Sequence, residues 1–331
     1  MSSTNASGRL PEATSSPAAM PMGRLVTLPY RTSVVFGSAF VDIRDPHNGL
    51  GNPFAVVMGA DVGTWDVEQR QALARRTGTP ETVFIDAVRE PRGPDDPYGY
   101  ELNLTVLTPT GRTLGACAHG FIGAAHTLAE AGLTVPGRDL LITTSAGGSA
   151  RASLPRARTV MLHFVSQEPW VAYGHEQALE RIFHLPLPSL ADGLPVLSVG
   201  SPKLTIEVTP ATFARLRREL DSLNYDRLMA LQRELDINGI HLFCRNSTTS
   251  SPEHVIQVNA YLGRSLVVDR ATGVSSAAQV SADPHVSDGQ ELQIAQYTRA
   301  GRSAVLTVTK GKSRNVYVGG AAVLADRRTL Q

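Results

Sequence analysis

Two short segments of small residues restrict what this chain can fold into. The first reads Gly115-Ala-Cys-Ala-His119-Gly-Phe-Ile-Gly-Ala-Ala125, the second Asp269-Arg-Ala-Thr-Gly273-Val-Ser-Ser-Ala-Ala278. Each places acid–base side chains on a tight turn that leads into a stretch of helical spacing. Residues 121–131 are apolar almost all round, the pattern of a buried helix, and residues 272–280 share it. A helix buried on all sides needs a wall of strands around it, so each segment predicts a sheet wrapped about one helix. Helix starts also leave backbone N–H groups unpaired and carry partial positive charge, which suits a carboxylate. Two such starts facing each other would hold a carboxylated substrate between proton donors and acceptors.

The rest of the pattern supplies the strands. Short apolar runs at residues 32–41, 54–58, 81–87, 100–108, 140–145, 150–154 and 159–165 are separated by Gly/Pro turns, among them the dense cluster at residues 45–53. Residues 66–77 have the spacing of an exposed helix. The order then repeats: strands at 194–199, 203–208, 239–244 and 254–261, helices at 210–223 and 227–235, and a closing hairpin at 304–310 and 315–323. We therefore expect an α+β chain of two structurally similar halves, each a barrel-like sheet around a central helix. The expected division is a disordered Ser/Ala/Pro-rich tail at 1–28, an N-terminal half at 29–148 and a C-terminal half at 149–331. Gly147-Gly148 and the Arg156–Arg158 region mark the crossing, and the last strand is free to pack back on the first half.

Composition narrows the function. The 31 basic and 30 acidic residues leave a formal net charge of +1 with no basic block, so nucleic-acid binding has no electrostatic footprint. No apolar run approaches bilayer-spanning length, and the N-terminus lacks the basic start and apolar core of a signal peptide. Cys117 and Cys244 are the only cysteines, too few for a disulfide framework or a thiolate zinc site, and fit a reducing cytoplasm. No P-loop, dinucleotide fingerprint or zinc-protease helix motif is present.

Three residues have the chemistry of proton transfer. His119 can give or take a proton near neutral pH; read singly it equally caps a helix start. Asp269 on the second turn has the same plain explanation. Glu81 follows Thr79-Pro80 and precedes Val83-Phe84-Ile85, so alone it is a carboxylate at a strand entrance. Cys117 is either a small buried hydrophobe or, at a helix start, a thiol of lowered pKa.

Five motifs in order resemble one family. Gly51-Asn-Pro-Phe-Ala-Val-Val57, Pro80-Glu-Thr-Val-Phe84, Ala116-Cys-Ala-His-Gly-Phe-Ile-Gly123, Asp269-Arg-Ala-Thr-Gly-Val-Ser275, and the closing Gly301-Arg-Ser303 with Val316-Tyr-Val-Gly-Gly-Ala321 match the signatures of the PhzF-like isomerases of phenazine biosynthesis. That family has the diaminopimelate-epimerase fold. The resemblance implies Glu81 as catalytic base, His119 and Asp269 as the paired acid–base residues, no metal or organic cofactor, and a homodimer. The expected substrate-binding residues are Asn52, then Cys117, Ala118 and Gly120 on the first turn, and Thr272 and Gly273 on the second; Arg270, a fixed cation beside that turn, either pairs with a substrate carboxylate or faces solvent. A carboxylate base in a partly dry cleft is expected to have a raised pKa, and N–H groups at the helix starts to stabilise charge on a conjugated acid.

Cys117 and Gly120 stand where the isomerases more often have alanine and proline, and Arg270 where they have proline. Cys117 also overlays the first thiol of the two-cysteine epimerases, while their second thiol falls at Arg270, no base at neutral pH. The expected function is thus a cofactor-independent isomerase that shifts a proton and a double bond in a small unsaturated amino or imino acid. The expected setting is specialised-metabolite (antibiotic) biosynthesis, on an alkylproline-unit or phenazine-like precursor. A racemase, epimerase or dehydratase using Cys117, and a non-catalytic binding protein on the same fold, remain the alternatives.

Overall fold

Burial along the strands explains why they form walls. Residues of Asp139–Thr144 and Thr159–Val165 alternate between buried and partly exposed, so each strand offers one face to a core. Asn52–Met58 is buried at every position except Pro53, the pattern of a strand covered on both faces. The computed structural model describes residues 23–28, 31–42, 51–156, 159–184, 193–245, 252–261 and 265–330. Residues 1–22 of the expected tail, 45–50 of the turn cluster and 157–158 of the expected crossing lie outside these.

The first ring contains β1 (Ser33–Val41), β2 (Asn52–Met58), β3 (Thr82–Arg89), β4 (Tyr98–Leu107), β5 (Asp139–Thr144), β6 (Ser149–Arg156) and β7 (Thr159–Val165), hydrogen-bonded in that order. Helix α1 (Val67–Thr77) covers its outside and α2 (Ala118–Glu130) fills its inside. The second half holds β8 (Trp170–Ala172), α3 (Glu176–Phe183), β9 (Leu194–Leu197), β10 (Lys203–Glu207), α4 (Pro210–Glu219), α5 (Tyr225–Glu234), β11 (Ile240–Arg245), β12 (Pro252–Tyr261) and β13 (Ser265–Asp269). It continues with α6 (Gly273–Ala282), β14 (Glu291–Thr298) and β15 (Gly301–Lys310). The last strand, β16 (Asn315–Thr329), joins the two: Asn315–Ala321 pair with β7, and residues 321–329 pair with β1, closing the first barrel. Val316–Gly319 pair in addition with β15 and so continue into the second sheet. The outcome is the α+β, two-helix architecture expected from the small-residue segments.

The ladder does not break at residue 148. Gly147 (φ +80°) and Gly148 form the turn between β5 and β6, with Thr144 N–H donating to Gly148 O at 2.9 Å, and β6 and β7 still belong to the first barrel. The end of the expected tail is also docked: Leu25 bridges to Arg89, and Leu28 is buried in the core. Strands β8, β13 and β14 and helix α3 have no counterpart in the sequence reading. The closing strand extends to Thr329 because its outer part is taken up by β1.

Helix α2 starts three residues earlier than its apolar run. Cys117 is extended (φ −151°, ψ 94°) and serves as the N-cap, and Phe121 N–H already donates to Cys117 O at 2.9 Å. His119 therefore lies inside the first helical turn. Side chains of α2 and α6 share one core, including Phe121, Ile122, Ala277, Ala278 and Val280. Their starts abut: a Cβ placed on Gly273 would lie 2.7 Å from Ala118 Cβ and 2.7 Å from Phe40 Cζ. Glycine is needed there for close approach.

Candidate active site

The contact between the two helix starts brings residues from four elements together. Glu81 directly precedes β3, Cys117 caps α2, His119 is in its first turn, and Asp269 ends β13 just before α6. His119 Nε2 lies 2.9 Å from Glu81 Oε2, and both side chains are buried. Asn52, the first residue of β2, links His119 to the second turn. Its Nδ2 contacts His119 Nδ1 at 3.0 Å and donates to Asp269 Oδ1 at 2.7 Å and Ala271 O at 3.2 Å. The oxygens claim amide hydrogens, so the contact with Nδ1 is attractive while that nitrogen is an acceptor. That leaves the proton of a neutral ring on Nε2, facing Glu81.

Asp269 is held from its other side. Thr272 Oγ1 donates to Asp269 Oδ2 at 2.9 Å, and Ala271 N–H reaches Oδ1 at 3.4 Å. Gln296 on β14 fixes the turn: its Oε1 accepts from Thr272 N–H at 3.0 Å, and its Nε2 donates to Asp269 O at 2.8 Å. Cys117 Sγ lies 3.6 Å from His119 Nε2 and 3.7 Å from Nδ1.

These groups titrate as a unit. Burial opposes the His119 imidazolium, but its contacts with Cys117 and Glu81 outweigh it and hold His119 well above its ordinary value. Burial pushes the Cys117 thiol up, so the sulfur stays protonated and Glu81 is the counter-ion that matters. Burial likewise raises Asp269, against the pull of His119. Among the described residues Glu81, Cys117 and His119 also form a possible cation site, with donor atoms within 4.8 Å of one another. Thiolate, imidazole and carboxylate are a zinc donor set, but a metal would first have to displace the raised thiol proton.

The cavity beside them has a volume of about 50 Å³. At about 10–15 Å³ per water position, it has room for about four waters, the size of a small organic acid. Glu81, Cys117, Ala118, His119, Asp269, Thr272 and Gly273 line it, as expected. Gly120 serves packing instead, because a Cβ there would meet Val83 Cγ2 at 2.7 Å and Cys117 Sγ at 3.0 Å. Asn52 supports the site from behind. Arg270 is exposed and outside the lining; its carbonyl accepts from Ser303 Oγ at 2.6 Å, which turns the side chain outward.

Five polar lining residues escaped the sequence reading: Ser201, Lys203, Asn238, Asn259 and Ser275, the last with an unpartnered buried hydroxyl. The first three had a signal in the sequence. Gly200-Ser-Pro-Lys203 echoes Gly51-Asn-Pro-Phe54, and the strands they open are alike: β2 runs parallel to β3, and β10 parallel to β11. Asn238 stands two residues before β11, one further back than Glu81 before β3.

Residues 41–193 match the phenazine biosynthesis-like protein family, PhzC-PhzF. Over that segment the chain resembles the PhzF family. The Bacillus anthracis phenazine biosynthesis protein of the PhzF family superposes with a TM-score of 0.63 at 20% identity, over 91% of this chain and 99% of that one. A Pseudomonas aeruginosa protein described as a predicted epimerase gives 0.63 at 20% identity, covering 91% of this chain and 99% of its own. A hydroxyproline epimerase from Agrobacterium vitis, with bound trans-4-hydroxy-L-proline, gives 0.57 at 13% identity over 92% and 93% of the two chains. These likenesses establish the fold, which is diaminopimelate-epimerase-like. No curated protein matches its sequence. Among the described residues no helix is long and apolar enough to cross a membrane.

Proposed function

We propose that this protein is an isomerase that moves a proton along a small unsaturated amino or imino acid without a cofactor. The observation that carries the reading is the buried Glu81–His119 contact of 2.9 Å, joined through Asn52 to Asp269 at the meeting of two helix starts. Glu81 takes a proton from one carbon, the C–H electron pair enters the conjugated system, and the double bond shifts. The Glu81 carboxyl exchanges that proton with solvent and then delivers a proton to a distant carbon. His119 and Asp269 orient the substrate and balance its charge, and the unpaired N–H groups of the helix starts bind its carboxylate.

A racemase with two opposed thiols has little support. Cys244 is on β11 with His254 Nδ1 at 3.9 Å and does not line the cavity, and Arg270 faces outward. A one-thiol racemase is favoured only by the position of Cys117 in the lining. We further propose a role in specialised-metabolite biosynthesis, in the cytoplasm and as a homodimer.

Incubation with candidate dienoic amino acids in deuterated water, followed by NMR, tests the reading. Deuterium at one new carbon is expected. Exchange confined to the α-carbon would overturn it in favour of racemisation.

A further inference from the structure

Lys203 is the charged residue of the cavity that the proton-transfer scheme leaves unused. It opens β10, is buried to 6% exposure, and lines the cavity from the second half. Its ammonium makes one hydrogen bond among the described residues, to Ser201 Oγ at 2.6 Å. Ser201 Oγ also accepts from Asn238 Nδ2 at 3.0 Å, so Lys203 shares a neutral partner; among the described residues it has no ion pair within 4.0 Å, and Asp269 and Glu81 act on it from further away. A buried cation with two N–H groups to spare and no counter-ion is costly unless an anion completes it. In the first half, the equivalent position of the Gly-x-Pro turn holds Phe54, fully buried. The two helix starts abut at Ala118 and Gly273 and so form one carboxylate site, whereas Lys203 belongs to a separate strand and donor set.

We propose that Lys203 binds a second anionic group of the substrate, apart from the carboxylate received by the helix starts, so that the substrate is a small conjugated diacid. This rests on the isomerase reading of the cavity. The groups that face Lys203 are Glu81 from the start of β3, Cys117 and His119 from the first turn, Asp269 from β13, Arg112 from the loop after β4, and His241 from the neighbouring β11. Burial lowers Lys203 to about 7, so near pH 8 it is largely neutral and must gain a proton as the second anion binds.

Calorimetric titration with trans,trans-muconate and with sorbate tests this, since the two share a six-carbon diene and differ by one carboxylate in place of a methyl. Muconate is expected to bind the wild type about 10–100-fold more tightly, the value of one charge-assisted hydrogen-bonded contact. In K203M the two should bind equally, with sorbate unaffected. At pH 8, buffers of different ionisation enthalpy should reveal proton uptake with muconate in the wild type only. Uptake by Glu81 or Asp269 would also appear in K203M. Equal affinities in the wild type, a preference that survives K203M, or no proton uptake with muconate overturns the proposal, and the last readout needs no variant. Deuterium incorporation is a separate readout, so failure of the isomerase reading is distinguishable from failure of this one.

Discussion

Replacing Glu81 with glutamine removes the counter-ion of His119 while keeping its shape. The two side chains approach to 2.9 Å between Nε2 and Oε2. With the delocalised charges centred about 4 Å apart and an effective dielectric of about 20, their attraction is about 4 kcal/mol. Burial works against the imidazolium throughout. Without Glu81 that penalty is unopposed, because the buried thiol of Cys117 stays protonated. His119 is therefore expected to fall from well above 6.5 in the wild type to below 6.5 in E81Q. Histidine ring NMR over a pH titration measures this directly. His241, pushed by burial to about 3, provides an internal reference that stays neutral across the range. The stability slope follows: a raised folded pKa stabilises fully below the unfolded value of about 6.5 and is lost as pH climbs through the folded one. E81Q should flatten that slope and lower turnover by about 10²–10⁴-fold, the loss of a general base. A His119 that remains an imidazolium above pH 7 in E81Q would refute the reasoning. The counter-ion would then be a Cys117 thiolate, and the one-thiol racemase would gain the support it lacks.

Other perturbations bear on the same site. Burial lowers Lys203 from 10.5 to about 7, so the unfolded chain binds more protons between those values and wild-type stability rises there with pH. K203M is expected to have the higher urea midpoint at pH 7, by at most about 5 kcal/mol, with the gap closing towards pH 10; equal midpoints at pH 7 would contradict a buried, unpaired cation. G273A should cost about 1–3 kcal/mol in urea unfolding and lower turnover, because its Cβ presses on Ala118 and Phe40. Zinc should inhibit by occupying Glu81, Cys117 and His119, reversibly with EDTA. C117S should keep most of the turnover but need at least about tenfold more zinc for the same inhibition, and near-complete loss of turnover in C117S would make the thiol catalytic.

The fold was legible because its two determining helices leave little choice. A helix such as α2, buried on nearly every face from Ala118 to Leu128, can only sit inside a sheet, and the chain has strands enough to surround two. The site followed from short motifs, since Glu81, His119 and Asp269 each stand on a turn or helix start that local sequence specifies. What sequence missed depends on distant partners. Strand β13 carries Asp269 yet has five residues and pairs only with β12. Gln296, which fixes the second turn, is an ordinary polar residue on a strand with no motif around it. Arg270 looked like a ligand because it neighbours Asp269, but adjacent residues of a turn point in different directions, and Ser303 holds its backbone so that the side chain leaves the cavity. The boundary near residue 148 failed for a similar reason: a Gly-Gly pair marks a turn, and whether that turn leads to a hairpin or a crossing is decided by the strand it pairs with.

The halves of this protein use one turn for two purposes, and that inequality bears on mechanism. In the first half, Asn52 of the Gly-Asn-Pro turn gives its hydrogens to His119 and Asp269, and Glu81 before the parallel strand completes an acid–base set. In the second half, Ser201 of the Gly-Ser-Pro turn accepts from Lys203 and Asn238, and the position before the parallel strand is Gly239, which has no carboxylate to offer. A racemase that inverts one carbon needs a proton acceptor on one face and a donor on the other, and so a base in each half. In the cavity the carboxylate–imidazole pair comes from the first half, while the second brings a cation and the Asp269 carboxylate, which is already engaged by Asn52 and Thr272. One base that works along a flat conjugated acid can collect a proton and return one on a single face. A cation across the cavity can then hold the far end still while the double bond moves.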